Sequence, residues 1–252
     1  MAARDGASIA MPAAAQLIEG DRASGLLIVA DHASAAVPDD IDLGVPTALL
    51  GDHIAIDLGV APLAATLCAR LGCAAVLGGV SRLVIDLNRE EDAPGLVPVE
   101  SDGHRIAGNV DLPEASRGER LDRFWRPYHA LLAKRIAGDR PRLIVSLHSF
   151  TPSLASRPEE ARPWQVGVLW NNDDRCARIA LPLLGAGGVI AGDNQPYSGK
   201  LLNATMNRHA EGTGTPYLGL EVRQDLIGDA PGVVRWAAIL APIIAATRDA
   251  LA

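Results

Sequence analysis

The chain predicts an α/β fold, a three-layer sandwich around a mixed, mostly parallel central sheet, and three observations lead there. Short continuous apolar runs bounded by turn signals, such as Gly25 to Ala30 and Leu143 to Leu147, read as strands buried on both faces. Stretches with helical spacing of apolar residues lie between them, and strands alternating with helices favour a largely parallel sheet. The runs also end on polar residues, His148 and the Asp31-His32 pair among them, where open α/β sheets place their ligand sites.

At 252 residues, 48% hydrophobic and 21% charged, the chain is long enough for one large domain, and residues 1–252 are read as one, without repeats. Aromatics at 4% leave the core to Leu, Ile, Val and Ala. A formal net charge of −7 argues against a phosphate-backbone partner, and so against nucleic acid. No basic amphipathic stretch suits a membrane surface, and the most apolar C-terminal run, Ala237 to Ala246, is too short to span a bilayer. Met1 to Gly20 carries Arg4 and Asp5 and lacks the sustained apolar centre of a secretory signal. A cytoplasmic location is expected by elimination. Cys68, Cys73 and Cys176 form no CxxC pair and no disulfide framework, so buried structural thiols are their ordinary reading.

Residues 1–22 read as an irregular lead-in with a short edge strand. Gly25 to Ala30 is the first buried strand. A loop with Pro38 and Pro46 leads to a helix from about Ala48 to Leu71, with Gly72 as its C-cap. On that helix His53 and Asp57, four apart, share a face. Ala74 to Leu77 is a short strand, and the middle of Ser81 to Arg89 (Leu83, Val84, Ile85) is strand-like with polar ends. Residues 90–114, rich in Pro, Gly and Asp, read as a long loop of the kind that serves as a lid or binding loop. His104 and Asn109 lie in it, and the ordinary reading of His104 is a solvated loop residue. Ser116 to Ala137 is a helix, with Leu121, Phe124, Trp125, Tyr128, Leu131 and Leu132 as its apolar stripe and His129 just off it, partly exposed. After the His148 strand come a strand at Val166 to Trp170, a helix at Cys176 to Leu184 and a strand from Ile190. A last strand, Tyr217 to Arg223, puts Glu221 and Arg223 on one face, and a helix from Val233 to Ala250 closes the chain.

Strand ends thus present His32, His148 and Glu221. If the strands are neighbours, two imidazoles and a carboxylate converge in one cleft. Zinc hydrolysis needs such a set: nitrogen and oxygen ligands, an open position for water, and a carboxylate to take the proton. The alternative for each is a structural residue in a satisfied core. Other chemistries have less support. There is no GxSxG elbow, and no Walker A or GxGxxG stretch follows a strand. Cys176, near a helix start, has no histidine partner indicated. Arg82, Arg89 and Arg223 flank the same cleft, and a planar guanidinium grips a carboxylate with two parallel hydrogen bonds. An acidic substrate is expected, unless these arginines pair with Asp31, Asp86 or Asp225 to hold the loops.

DHAS with a following proline, HIAIDLG, SRLVIDLNR, SDGHRIAGN, SLHSF and LEVRQDLI stand in an order that resembles the N-formylglutamate amidohydrolase family, from about Leu26 to Leu226. The order of SRLVIDLNR, SLHSF and LEVR is also similar to the wider zinc carboxypeptidase superfamily. The resemblance implies a phosphorylase/hydrolase-like, zinc-carboxypeptidase-like sandwich that cleaves the amide of an N-acyl amino acid with one zinc ion or another divalent metal. It implies His32 and His148 as metal ligands, Glu221 as general base, and Asn88 and Arg89 as contacts to the substrate carboxylate. Arg82 would stabilise the oxyanion, with Tyr197 a mobile substrate contact. The carboxypeptidase pattern has a ligand Glu three residues after the first histidine. Here that position is Ala35, so the third ligand comes from elsewhere, Asp57 by choice and His53 as its competitor.

The expected partner is a small acidic N-acyl amino acid, best represented by N-formyl-L-glutamate. Another N-acyl amino acid or a small peptide is the alternative within hydrolases, and a carboxylate-binding protein without turnover is the alternative outside them. Nothing in the sequence indicates an oligomeric state.

Overall fold

A computed structural model of the chain describes residues 13–251. Of the expected lead-in, 1–12 lie outside the described residues. The edge strand expected there is present as β1, Ala15–Ile18. The other strands of the main sheet are β2 (Leu26–Ala30), β3 (Ala74–Gly78), β6 (Leu143–Phe150), β7 (Val166–Leu169), β8 (Ala191–Asp193) and β9 (Tyr217–Arg223). A separate small hairpin pairs β4 (Glu100–Ser101) with β5 (His104–Arg105).

The seven strands run in the order β1-β3-β2-β6-β9-β7-β8. β3, β2, β6 and β9 are parallel to their neighbours, while β1 and β7 enter antiparallel. The sheet is therefore mixed with a parallel centre, as expected. The central strands are buried throughout, which is why they read as continuous apolar runs.

Alternate residues of the strands feed two cores. On one side Ile28, Val145, Leu147, Leu218 and Leu220 pack under α1 (Val60–Leu71), α4 (Arg175–Ala186) and α6 (Ala230–Asp249). On the other side Leu27, Val29, Ile144 and Tyr217 pack against α3 (Arg126–Asp139), α5 (Ala204–His209) and the irregular segment around residues 80–97. α3 continues from α2 (Glu114–Arg120) through a single π turn at Leu121–Trp125. α6 is long and apolar enough by composition to cross a membrane, yet Trp236, Leu240 and Ile244 are buried against the helices on its side of the sheet.

Three expectations are corrected here. The helix expected from Ala48 begins only at Val60. Gly59 sits at φ +79°, and a Cβ there would meet the Ile227 carbonyl at 2.3 Å, so a tight turn precedes the helix. His53 and Asp57 therefore lie in turns rather than on one helical face. The apolar middle of Ser81 to Arg89 is no strand: Val84 N–H bonds to Ser81 O at 2.9 Å and Asp86 N–H to Leu96 O at 2.7 Å, so the backbone is satisfied by turns and loops. Leu83, Val84 and Ile85 are apolar because they fill the core beneath α3, where all three are 0% exposed. Within 90–114 the β4–β5 hairpin turns on Asp102-Gly103, both at positive φ, a two-residue turn that the Asp-Gly pair signals. Asn109 is buried there and bonds the Leu83 and Pro98 carbonyls at 2.8 Å, a strut rather than a ligand contact.

The third correction is His129, which is buried rather than partly exposed. Its Nε2–H donates to the Leu87 carbonyl at 3.0 Å, so its Nδ1 accepts from the His209 Nε2–H at 2.9 Å. Burial holds the His129 imidazole down to about 4 from the ordinary 6.5, aided by His209 and Arg208 against the pull of Asp31. An imidazole kept neutral in the fold but free to protonate when unfolded makes acid favour the unfolded chain. This contribution is complete above pH 6.5 and is lost as pH falls toward about 4. At most about 3 kcal/mol is involved. Urea midpoints of His129→Gln are expected to fall less steeply across that window than those of the wild type. Parallel slopes would locate the acid sensitivity elsewhere.

Candidate active site

His148 and Glu221 are register partners on β6 and β9, so their side chains leave the same face of the sheet at its carboxyl end. His32 follows β2, the other neighbour of β6. The turn before α1 is pinned to this edge: Asp57 N–H bonds the His32 carbonyl at 3.0 Å, and the Ser149 hydroxyl bonds the Leu58 carbonyl at 2.9 Å. Segments far apart in sequence thus deliver His32, Asp57 and His148 to one point, all of them buried.

One ligand atom from each of these three lies within 4.8 Å of the other two. Asp57 Oδ2 is central, 2.8 Å from His148 Nδ1 and 3.4 Å from His32 Nδ1. Each imidazole has a carboxylate behind it. His32 Nε2 meets Asp86 Oδ1 at 2.7 Å, and His148 Nε2 faces Asp31 Oδ2 at 3.3 Å, too poorly aligned for a hydrogen bond. Histidine ligands are commonly oriented by an outer carboxylate in this way.

Charge supports the same reading. Asp57, Asp86 and Glu221 face the Arg82 guanidinium, Asp86 also faces Arg89, and Asp31 stands behind His148. With all four acids ionised and both imidazoles neutral, an excess of negative charge remains that a divalent cation would balance. The imidazoles respond to that excess. Burial lowers the His148 and His32 values, but the surrounding carboxylates outweigh it and hold both above the ordinary range, His148 well above. His32 Nδ1 is buried without a hydrogen-bond partner, on the side facing Asp57. The donor set of two nitrogens and a carboxylate fits zinc.

Glu221 is buried beside this cluster. Burial pushes its carboxyl up to about 7, with Asp57 adding to the rise and His148, Arg82 and His32 opposing it. Arg82 reaches Asp57 Oδ1 and Asp86 Oδ2, both at 3.2 Å. A cavity of about 260 Å³ opens onto these groups. Its wall includes His32, Asp57, Arg82, Asn88, Arg89, His148, Tyr197 and Glu221. The Tyr197 hydroxyl accepts from the buried Arg162 at 3.1 Å.

Arg223 does not join them. It stands at the end of β9 with its guanidinium turned to Asp225, at 2.8 Å, and it does not line the cavity. The loop-holding alternative accounts for it, and in part for Arg82 and Arg89, which both face Asp86. His53 lines the cavity, but its ring nitrogens face Asp52 and Asp102. His104 lies on β5 and is not part of the wall.

Sequence reasoning missed Asp31 and Asp86 as supports of the two histidines. Their adjacency to His32 and their place within SRLVIDLNR were the available signals. It also missed a wall formed by residues 151–157. Asp102 binds Ala155 N–H and Ser156 N–H, each at 2.9 Å, and so ties the hairpin tip to that wall. Nothing in the sequence pattern pointed to that latch.

Known proteins share this fold. The family described as N-formylglutamate amidohydrolase matches residues 24–228. A crystal structure of a gene product from Agrobacterium tumefaciens is similar at 29% identity and a TM-score of 0.87, covering 94% of this chain and 96% of that one. The crystal structure of N-formylglutamate amidohydrolase from Ralstonia eutropha is similar at 21% identity and a TM-score of 0.71, covering 96% and 98%. At that identity the second likeness speaks for the fold alone. A search of curated proteins finds no match.

Proposed function

Because the chain belongs to the N-formylglutamate amidohydrolase family, we propose that it hydrolyses the amide of an N-acyl amino acid, N-formyl-L-glutamate giving formate and glutamate. The observation that carries this reading is the His32–Asp57–His148 cluster beside the buried Glu221 and the half-buried Arg82, all lining one cavity. Zinc held by that cluster would supply Lewis acidity and lower the pKa of a water to about 7.

The remaining work falls to the side chains. Glu221 takes the proton of the attacking water and returns it to the leaving amine, a role for which a carboxyl raised by burial is suited. Arg82 spends two of its donors on Asp57 and Asp86, and the guanidinium keeps further N–H groups for the oxygen that gains charge. Arg89 and Asn88 grip the substrate carboxylate from the same wall, with Tyr197 as a further contact.

The test is formate release from N-formyl-L-glutamate by the protein as purified, after chelation, and after zinc is restored. Activity is expected to be lost and regained. Full activity after metal removal, verified by metal analysis, would exclude the zinc reading. An inactive zinc-replete protein would shift the substrate to another N-acyl amino acid or a small peptide, which a substrate panel identifies.

A further inference from the structure

We propose that Thr205 is a positioning residue that aims His148 through Asp31 and seats Asn88 at the same time. This rests on the reading of His148 as a metal ligand and Asn88 as a carboxylate contact.

Thr205 lies on α5, with no solvent exposure. Its two polar groups point to two different parts of the site. The hydroxyl donates to Asp31 Oδ1 at 2.9 Å, with the Leu87 carbonyl at 3.3 Å as a weaker second acceptor. The backbone N–H donates to Asn88 Oδ1 at 3.0 Å.

On the first side, Asp31 Oδ1 also receives the Tyr128 hydroxyl at 2.6 Å. Two donors from two helices therefore fix one oxygen of a carboxylate whose side chain is 0% exposed. A carboxylate held by one oxygen cannot turn freely, and its other oxygen is thereby aimed. Oδ2 has no hydrogen-bond partner and faces His148 Nε2, itself without one, at 3.3 Å. The negative charge of Asp31 at 3.3 Å favours the tautomer that carries its hydrogen on Nε2, which leaves Nδ1 of His148 for the side of Asp57.

On the second side, holding Asn88 Oδ1 leaves the amide's N–H donors as the groups able to meet an acceptor in the cavity. A carboxylate is such an acceptor.

Thr205→Val keeps the shape and the backbone N–H but removes the hydroxyl, and Thr205→Ser restores it. Zinc affinity of the stripped protein is read by competition with a chromophoric chelator, alongside thermal melting and steady-state kinetics at saturating zinc. Thr205→Val is expected to bind zinc about 10–100-fold more weakly. KM should stay near the wild-type value, because the bond to Asn88 survives, and Thr205→Ser should recover most of the affinity. Tyr128→Phe, acting on the same oxygen from α3, is expected to weaken zinc binding in the same direction, and it keeps the test available if Thr205→Val does not fold. A purely structural role would lower the melting temperature and leave zinc affinity unmoved, and that result in both variants would overturn the inference. Should the wild type itself bind no zinc, the parent reading and this inference fail together. Wild-type zinc binding with unaltered binding in both variants sinks only the inference.

Discussion

Glu221→Gln is expected to bind zinc as the wild type does and to lower kcat for N-formyl-L-glutamate by about 10²–10⁴-fold. Gln copies the shape of Glu and cannot accept the water's proton. Glu221 stands next to the cluster but is not one of its three members, so metal content should be untouched. Its position is set by strand register opposite His148, and the conservative change leaves that register intact. The same argument gives a pH dependence. A general base must be ionised, so activity should fall as pH drops through the carboxyl's value. Burial, set against the neighbouring charges, places that value at about 7, and a bound cation pulls it lower, so the acid limb of kcat/KM is expected at or below about 7. A Glu221→Gln protein with nearly full turnover would place the base elsewhere.

Asp57→Asn should weaken zinc binding by more than the about 10–100-fold that loss of an outer hydrogen-bond partner costs, and His53→Ala should leave it close to wild type. Asp57 Oδ2 lies between two imidazole nitrogens, at 2.8 and 3.4 Å, and removing its charge takes away the centre of the cluster. His53 spends its ring on Asp52 and Asp102. Asn at position 57 keeps an accepting oxygen for Arg82, so the half-buried guanidinium is not left without a partner on that side. Zinc titration of the two stripped variants separates the candidates directly. Tight binding by Asp57→Asn together with loss in His53→Ala would reverse the assignment.

The parts of this protein legible from sequence were those in which side-chain pattern and backbone agree. β2, β6 and β9 are buried on both faces, so their apolar runs and polar ends announced a sheet whose edge carries His32, His148 and Glu221. With Ala35 where the carboxypeptidase pattern has a ligand Glu, Asp57 is the choice over His53 for a third ligand, and it is Asp57 that groups with His32 and His148. The Leu83-Val84-Ile85 run misled because burial, not strand pairing, made it apolar. The helix expected from Ala48 misled as far as Leu58, because that segment is a short 3-10 turn followed by turns that serve the site, and α1 starts only after the αL Gly59.

By itself, then, the sequence determined the α/β architecture, the strands and the chemical types of the groups at their ends, since these follow from local periodicity and from where apolar runs stop. Tertiary structure alone decided which carboxylate stands behind which histidine, that Arg223 turns away to Asp225, and that Thr205 touches both Asp31 and Asn88. Those are contacts between segments up to well over a hundred residues apart, and their partners are chosen by packing and charge compensation in a buried space, which no pattern along the chain records.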